Sequence, residues 1–376
     1  YVTKEMINPE LRLPKWFFNA LSTPNRSVEM TRNKKDSGVL RIMYHLKPAG
    51  LTIKEGTLIR PDGTEMVVFM ITRKETSGSN RPGILNIHGG GFSEGDPRQD
   101  IIQASVILKL TDAVFITPKY RLSVEAPYPA AVDDCYFTLK WMKDHAGELG
   151  IRDDQIIVMG GSAGGGLTAA TTLMARQKGE VKIAFQMPLY PMIGDRETDS
   201  HKDNNAPIYD GITNDSNWQI YLGDLYGTDN IPSTAAPARE MDYSGLPPTI
   251  TMVGTIEPFY DETVAYVNNL RKAGVPVAFR EFEGAWHGFE GIAMWTKIAK
   301  AANTWRDTQF FNFLSKYFAP QDESTPRDTE TNGACDVFPD TAKPADNKKK
   351  KAALAAICAV SSCIAAAAVA KAVTKK

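Results

Sequence analysis

Ser162 stands between Gly160 and Gly164 in "QIIVMGGSAGGGLTAATTLMARQ", a GxSxG spacing set between an apolar run of strand length and a helix-compatible one. A serine can serve as a nucleophile there if a strained turn lifts its hydroxyl above the sheet edge, which demands small neighbours. The plainer reading is a glycine-rich helix start that packs closely or holds an anion, and the spacing alone does not decide between them. A nucleophilic serine also needs a base to take its proton and a carboxylate to hold the base in its tautomer. Only two histidines follow Ser162: His201 in a polar interval, and His287 in "GAWHGFEG" directly after the last apolar run. His287 has the better position, because loops at the carboxyl ends of parallel strands converge on the same edge. For the carboxylate, "IEPFYDET" offers Glu257, Asp261 and Glu262. Glu257 comes immediately after a strand, whereas the other two fall in the first turn of a helix, where an acid favours the dipole. Glu257 is therefore the expected acid, with Asp261 its nearest competitor.

Attack on a carbonyl turns its oxygen into an anion, which needs backbone N–H donors at a point no side chain blocks. Gly89, Gly90 and Gly91 in "NIHGGGFSEGD" supply such a backbone, and Ala163, next to the serine, adds a further amide.

These residues must be positioned by regular elements. From residue 83 the runs "GILNIH", "AVFITPKY", "QIIVMG", "KIAFQMPLY", "PTITMVGT" and "VAFREFEG" alternate with helical stretches such as "AAVDDCYFTLKWMKDHA". That alternation predicts an α/β fold, a mostly parallel sheet with helices on both faces. Before it, "TIKEGTLIRPDGTEMVVFMITRK" reads as a hairpin around "RPDGT". "KWFFNALS" reads as a helix laid on the domain. Residues 194–246 interrupt the rhythm with polar, aromatic and proline-containing sequence, the mark of a lid or binding segment.

The 376 residues carry a formal charge of −1, but seven lysines and no acid lie after residue 347. The rest holds 36 basic against 44 acidic groups, a net of −8, which argues against nucleic acid as a partner. Cys135, Cys335, Cys358 and Cys363 form no disulfide framework, and no spacing fits a metal, so neither metal nor cofactor is expected. From Tyr1 onward no targeting segment is visible. Residues 320–351 have the composition of a disordered linker. Ala352 to Ala370 is a stretch of 19 uncharged, alanine-rich residues between lysines, long enough to span a membrane but only marginally apolar.

"HGGGF", "YRLSVEAPYPAAVDD", "GGSAGG", "LPP", "EPFYDE" and "HGF", in this order, resemble the hormone-sensitive-lipase-like esterases of the α/β-hydrolase fold over roughly residues 80–317. The resemblance implies Ser162 as nucleophile, the HGGG glycines as oxyanion hole, and a cap built from residues 1–48 and 194–246 around a catalytic domain of 49–319. The acid is most often aspartate in that family, where this chain has Glu257, and the lysine-flanked tail, 352–376, has no counterpart. The expected activity is hydrolysis of short- to medium-chain acyl esters of small molecules through an acyl-enzyme. An amidase, peptidase or acyltransferase on the same fold is the alternative, since fold and triad do not fix the leaving group. A non-catalytic ligand-binding relative is disfavoured by the presence of His287. The expected compartment is the cytoplasm, with a homodimer and a weak membrane contact through the tail left open.

Overall fold

The computed structural model describes residues 1–33, 48–76, 78–318 and 337–338. The lysine-flanked tail, nearly all of the expected linker, and Cys335, Cys358 and Cys363 lie outside the described residues. Among the described residues no helix is long and apolar enough to cross a membrane.

A short helix α1 (Lys15–Leu21) and a single turn α2 (Val28–Arg32), capped by the Ser27 side chain on the Met30 amide, precede the sheet. The expected hairpin forms as β1 (Leu51–Ile59) and β2 (Glu65–Arg73). Six further strands follow: β3 (Gly83–Ile87), β4 (Val114–Pro118), β5 (Ile156–Gly161), β6 (Ile183–Leu189), β7 (Thr249–Gly254) and β8 (Val277–Phe282). They close an eight-stranded sheet in the order β1-β2-β4-β3-β5-β6-β7-β8. The β2 strand is antiparallel to both its neighbours, and from β4 onward every pairing is parallel. Parallel strands need crossovers, which α3 (Ile101–Leu110), α4 (Ala130–Asp144), α5 (Ala163–Lys178) and α7 (Tyr260–Lys272) supply, with α6 (Gly211–Leu222) in the polar interval and α8 (Lys297–Tyr317) closing the fold.

The central strands β3 to β7 are mostly apolar and buried because both sheet faces are covered there, and consecutive side chains feed opposite layers. Leu85 and Ile87 join one core cluster while Ile84 joins the other; Val158 and Ile157 divide in the same way. The first cluster packs on α4 and α5, the second on α3 and α8. The helix read from "KWFFNALS" forms as α1, with Phe17 at 9% exposure and Phe18 edge-on to Trp286 at 5.6 Å.

Val337 and Phe338, inside the stretch read as linker, are packed on the body. Phe338 is 2% exposed, its ring 6.1 Å from that of Trp141, and it occupies the space that a side chain at position 56 would need. An isolated aromatic in a polar segment can bury itself wherever a glycine leaves a slot, which composition averages hide.

Candidate active site

Three strand ends build the site. Ser162 sits between the end of β5 and the start of α5 with φ 62° and ψ −128°, a backbone that side-chain-bearing residues rarely adopt. Its neighbours hold it there: the Ser162 amide donates to Leu189 O at 3.0 Å, and the Ser162 carbonyl accepts from Gly166 and Met192 amides at 2.9 and 3.1 Å. A side chain at position 164 would collide with the Ile87 carbonyl, so the second glycine of the GxSxG spacing is fixed by close approach of the first turn of α5 to the end of β3.

His287, on the turn after β8, brings Nε2 to 2.8 Å from Ser162 Oγ and Nδ1 against Glu257 Oε2. A carboxylate can only accept, so Nδ1 carries the proton and Nε2 presents its lone pair to the serine hydroxyl. Glu257, on the turn after β7, is fully buried, and its Oε1 accepts from the Gly254 amide at 2.6 Å. Burial lifts its carboxyl above the usual carboxylate range, against the opposing pull of His287 and Gly254. Rings of Tyr190, Tyr209 and Phe259 enclose the imidazole with centroids at 5.1, 5.4 and 5.0 Å.

The competing residues are occupied elsewhere. Asp261 Oδ2 accepts from the Ser200 amide at 2.7 Å, and Glu262 Oε1 accepts from the amides of Ile193 and Gly194 at 2.7 and 3.1 Å. Both therefore hold the entry of the polar interval, a role the helix-dipole reading did not anticipate. His201 Nε2 lies 3.2 Å from both the Gly211 carbonyl and Asp215 Oδ1, not at the serine.

The three glycines serve two purposes. Gly90 and Gly91 have φ of 126° and 58°, where L-residues are strained, while Gly89 is needed because a Cβ there would lie 2.8 Å from the Gly161 carbonyl. Among the described residues the amides of Gly90, Gly91 and Ala163 have no hydrogen-bond acceptor. The loop is braced from beneath. His88, fully buried and pushed down to about 4 by that burial, stays neutral and donates Nδ1–H to Gly89 O at 2.8 Å. Tyr120 stacks on its ring at 4.2 Å and donates to its carbonyl at 2.9 Å.

A cavity of about 310 Å³ opens onto Ser162, His287 and Gly89–91. Leu21, Ser22 and Arg26 of the N-terminal segment line it, as do Ile208 and Tyr209 of the polar interval. These two segments are tied together, with Asn25 N donating to Asp210 at 2.8 Å and Ser216 Oγ to Arg26 O at 2.7 Å. The lining residues Arg26, Tyr190 and Glu290 escaped the sequence reading. Tyr190 follows the end of β6 and Glu290 follows His287 by three positions, so both had a positional signal; Arg26 had none. Among the described residues no cluster of three or more side chains could hold a metal ion.

The sequence matches the model of the alpha/beta hydrolase fold family over residues 84–291. It is 31% identical over 307 residues to the carboxylesterase NlhH of Mycobacterium tuberculosis, covering 80% of this chain and 94% of that protein. Esterase LipI of the same organism is 34% identical over 223 residues, 56% of this chain and 67% of LipI. Among solved structures, a bacterial heroin esterase superposes with a TM-score of 0.74 at 31% identity, covering 83% of this chain and 99% of that one.

Proposed function

The chain belongs to the α/β-hydrolase-fold family, and from that premise we propose that Ser162 is the nucleophile, His287 the general base and Glu257 the carboxylate that orients it. The protein is a carboxylic ester hydrolase of the serine type. The observation that supports the residue assignment is the unbroken chain of contacts from Ser162 Oγ through both nitrogens of His287 to Glu257.

His287 Nε2 takes the Ser162 proton as Oγ attacks the ester carbonyl, and the carbonyl π electrons move onto oxygen. The amides of Gly90, Gly91 and Ala163 receive that oxyanion, helped by the positive end of α5. Collapse of the tetrahedral species breaks the bond to the alkoxy oxygen, which leaves as an alcohol after taking the proton from His287. Water, deprotonated by the same nitrogen, then attacks the acyl-enzyme and releases the acid and the free serine. Throughout, Glu257 keeps the proton on Nδ1 and faces the imidazolium that forms in each half-reaction.

The acyl groups accepted are short to medium in length. The cavity, about 310 Å³, supports this, as it lies at the small end of the roughly 300–1,000 Å³ common to ligand sites. Residues 1–48 and 194–246 act as the cap, a reading supported by the bonds between them at Asn25 and Ser216. A cytoplasmic location, a homodimer and a weak membrane contact through residues 352–370 rest on sequence alone, and size-exclusion and liposome co-sedimentation of the full chain test the last two. A fluorophosphonate probe tests the nucleophile: it should label the wild type and not Ser162→Ala, and equal labelling of both would remove the assignment. A series of p-nitrophenyl esters should give kcat/KM that falls beyond medium chain lengths; a steady rise to long chains would overturn the size argument.

A further inference from the structure

Two side chains that line the catalytic cavity are buried with hydrogen-bonding capacity unspent. Arg26 is 3% exposed; its Nη2 pairs with Glu94 Oε1 at 3.0 Å, while Nε and Nη1 have no acceptor. Its backbone is pinned, the amide donating to Thr213 Oγ1 at 3.2 Å and the carbonyl accepting from Ser216. Glu290 is 4% exposed; Oε1 accepts from the Tyr190 hydroxyl at 2.5 Å, while Oε2 has no donor. Its carbonyl accepts from Asn303 on α8 at 2.9 Å, so this residue too is anchored. Buried polar groups are normally satisfied, and two rigidly held exceptions of opposite kind on one cavity ask for a ligand that brings both an acceptor and a donor.

We propose that the cavity selects esters whose non-reacting part carries hydroxyl groups, one hydroxyl oxygen accepting from Arg26 and another hydroxyl donating to Glu290. The inference rests on the esterase reading of the site and names its substrate class. A hydroxyl fits where charged groups do not, because it serves as donor and acceptor at once. An anionic substrate would meet Arg26 already countered by Glu94, with Asp100 and Glu290 on the same lining. A quaternary ammonium would offer Arg26 nothing to bind.

The experiment compares 2,3-dihydroxypropyl acetate with propyl acetate, which share acyl group and carbon skeleton and differ in two hydroxyls. The diol ester should show a kcat/KM at least about tenfold higher, since a site built to hydrogen-bond a hydroxyl rejects the analogue that lacks it. Arg26→Met and Glu290→Gln should each lower that ratio severalfold, read on folded protein, and the wild-type ratio alone decides if either variant fails to fold. Equal use of the two esters by the wild type, or a preference kept in full by both folded variants, would overturn the proposal. So would faster turnover of acetylcholine or of monomethyl succinate than of the diol ester. Hydrolysis of propyl acetate without preference sinks this inference alone, whereas no hydrolysis of any ester would remove the esterase reading and this inference with it.

Discussion

Asp134 and Glu257 are both buried carboxylates, at 1% and 0% exposure, yet their surroundings are opposite. Asp134, on α4, accepts from Arg60 Nε and Nη2 at 2.7 and 3.1 Å and from Arg121 Nε and Nη2 at 3.1 and 2.8 Å, with the Arg121 amide added at 2.8 Å. Two guanidinium groups thus neutralise it permanently and knit the end of β1 to the loop after β4 and to α4. Glu257 has no permanent cation: its partners are an amide and the imidazole of His287. A carboxylate that holds a fold together is fully paired at rest, because an uncompensated buried charge is costly. Glu257, proposed as the orienting acid, is left short of positive charge, so that in the proposed reaction its attraction is realised when His287 takes a proton.

This contrast can be broken from either side. The largest effect is expected at the serine and histidine: Ser162→Ala or His287→Ala should lower kcat/KM by on the order of 10⁴-fold or more. Thermal midpoints should stay near the wild type, and a collapse of stability in a soluble His287→Ala protein would mean that the imidazole is structural. Glu257→Gln should keep the fold and lower turnover by on the order of 10³ to 10⁴-fold, because the neutral amide neither fixes the tautomer nor faces the imidazolium. If Glu257→Gln stays near full rate while Asp261→Asn abolishes it, the acid is Asp261. Asp134→Asn should do the reverse, costing about 3–5 kcal/mol of stability by stranding charge at Arg60 and Arg121. Its folded fraction should keep kcat near the starting value; a large loss of kcat at full stability would erase the distinction.

The smallest effect sharpens the comparison with a third buried acid. Burial pushes Glu262 up to about 8 from an ordinary 4.5, with the amides of Ile193 and Gly194 and the nearby His201 pulling the other way. Because its folded value is raised, the folded chain holds this proton where the unfolded chain has lost it. The stability so contributed is full below about 4.5 and is lost as pH rises through about 8. Thermal melts should therefore show stability declining across that window, and Glu262→Gln, which keeps the amide acceptor, should flatten the slope. An unchanged slope in the variant would assign the dependence to other groups.

Ser162, His287 and Glu257 were legible because each follows a strand, and strands announce themselves as apolar runs. The six runs of the parallel region formed as strands, and the hairpin formed around its turn signal "RPDGT". The second duty of the glycines was not legible: only the packing of β3 against β5 shows that Gly89 answers to the Gly161 carbonyl rather than to a positive φ. Asp261 and Glu262 looked like dipole partners because a helix start explains an acid locally, while their amide partners lie some sixty positions away in sequence. Arg26 was invisible because its burial depends on Glu94, Thr213 and Ser216, none of which is periodic with it. Contacts set by tertiary meeting of distant segments leave no period to read.

Phe338 has a consequence for how the molecule is made. The slot it fills, beside Gly56 and Trp141, belongs to a hairpin and a helix synthesised long before it. At ribosomal rates of about 5–20 residues per second, the interval between Trp141, which completes the slot, and Phe338 is on the order of ten seconds or more. Over that interval the nascent chain carries an apolar notch that Phe338 closes once it emerges.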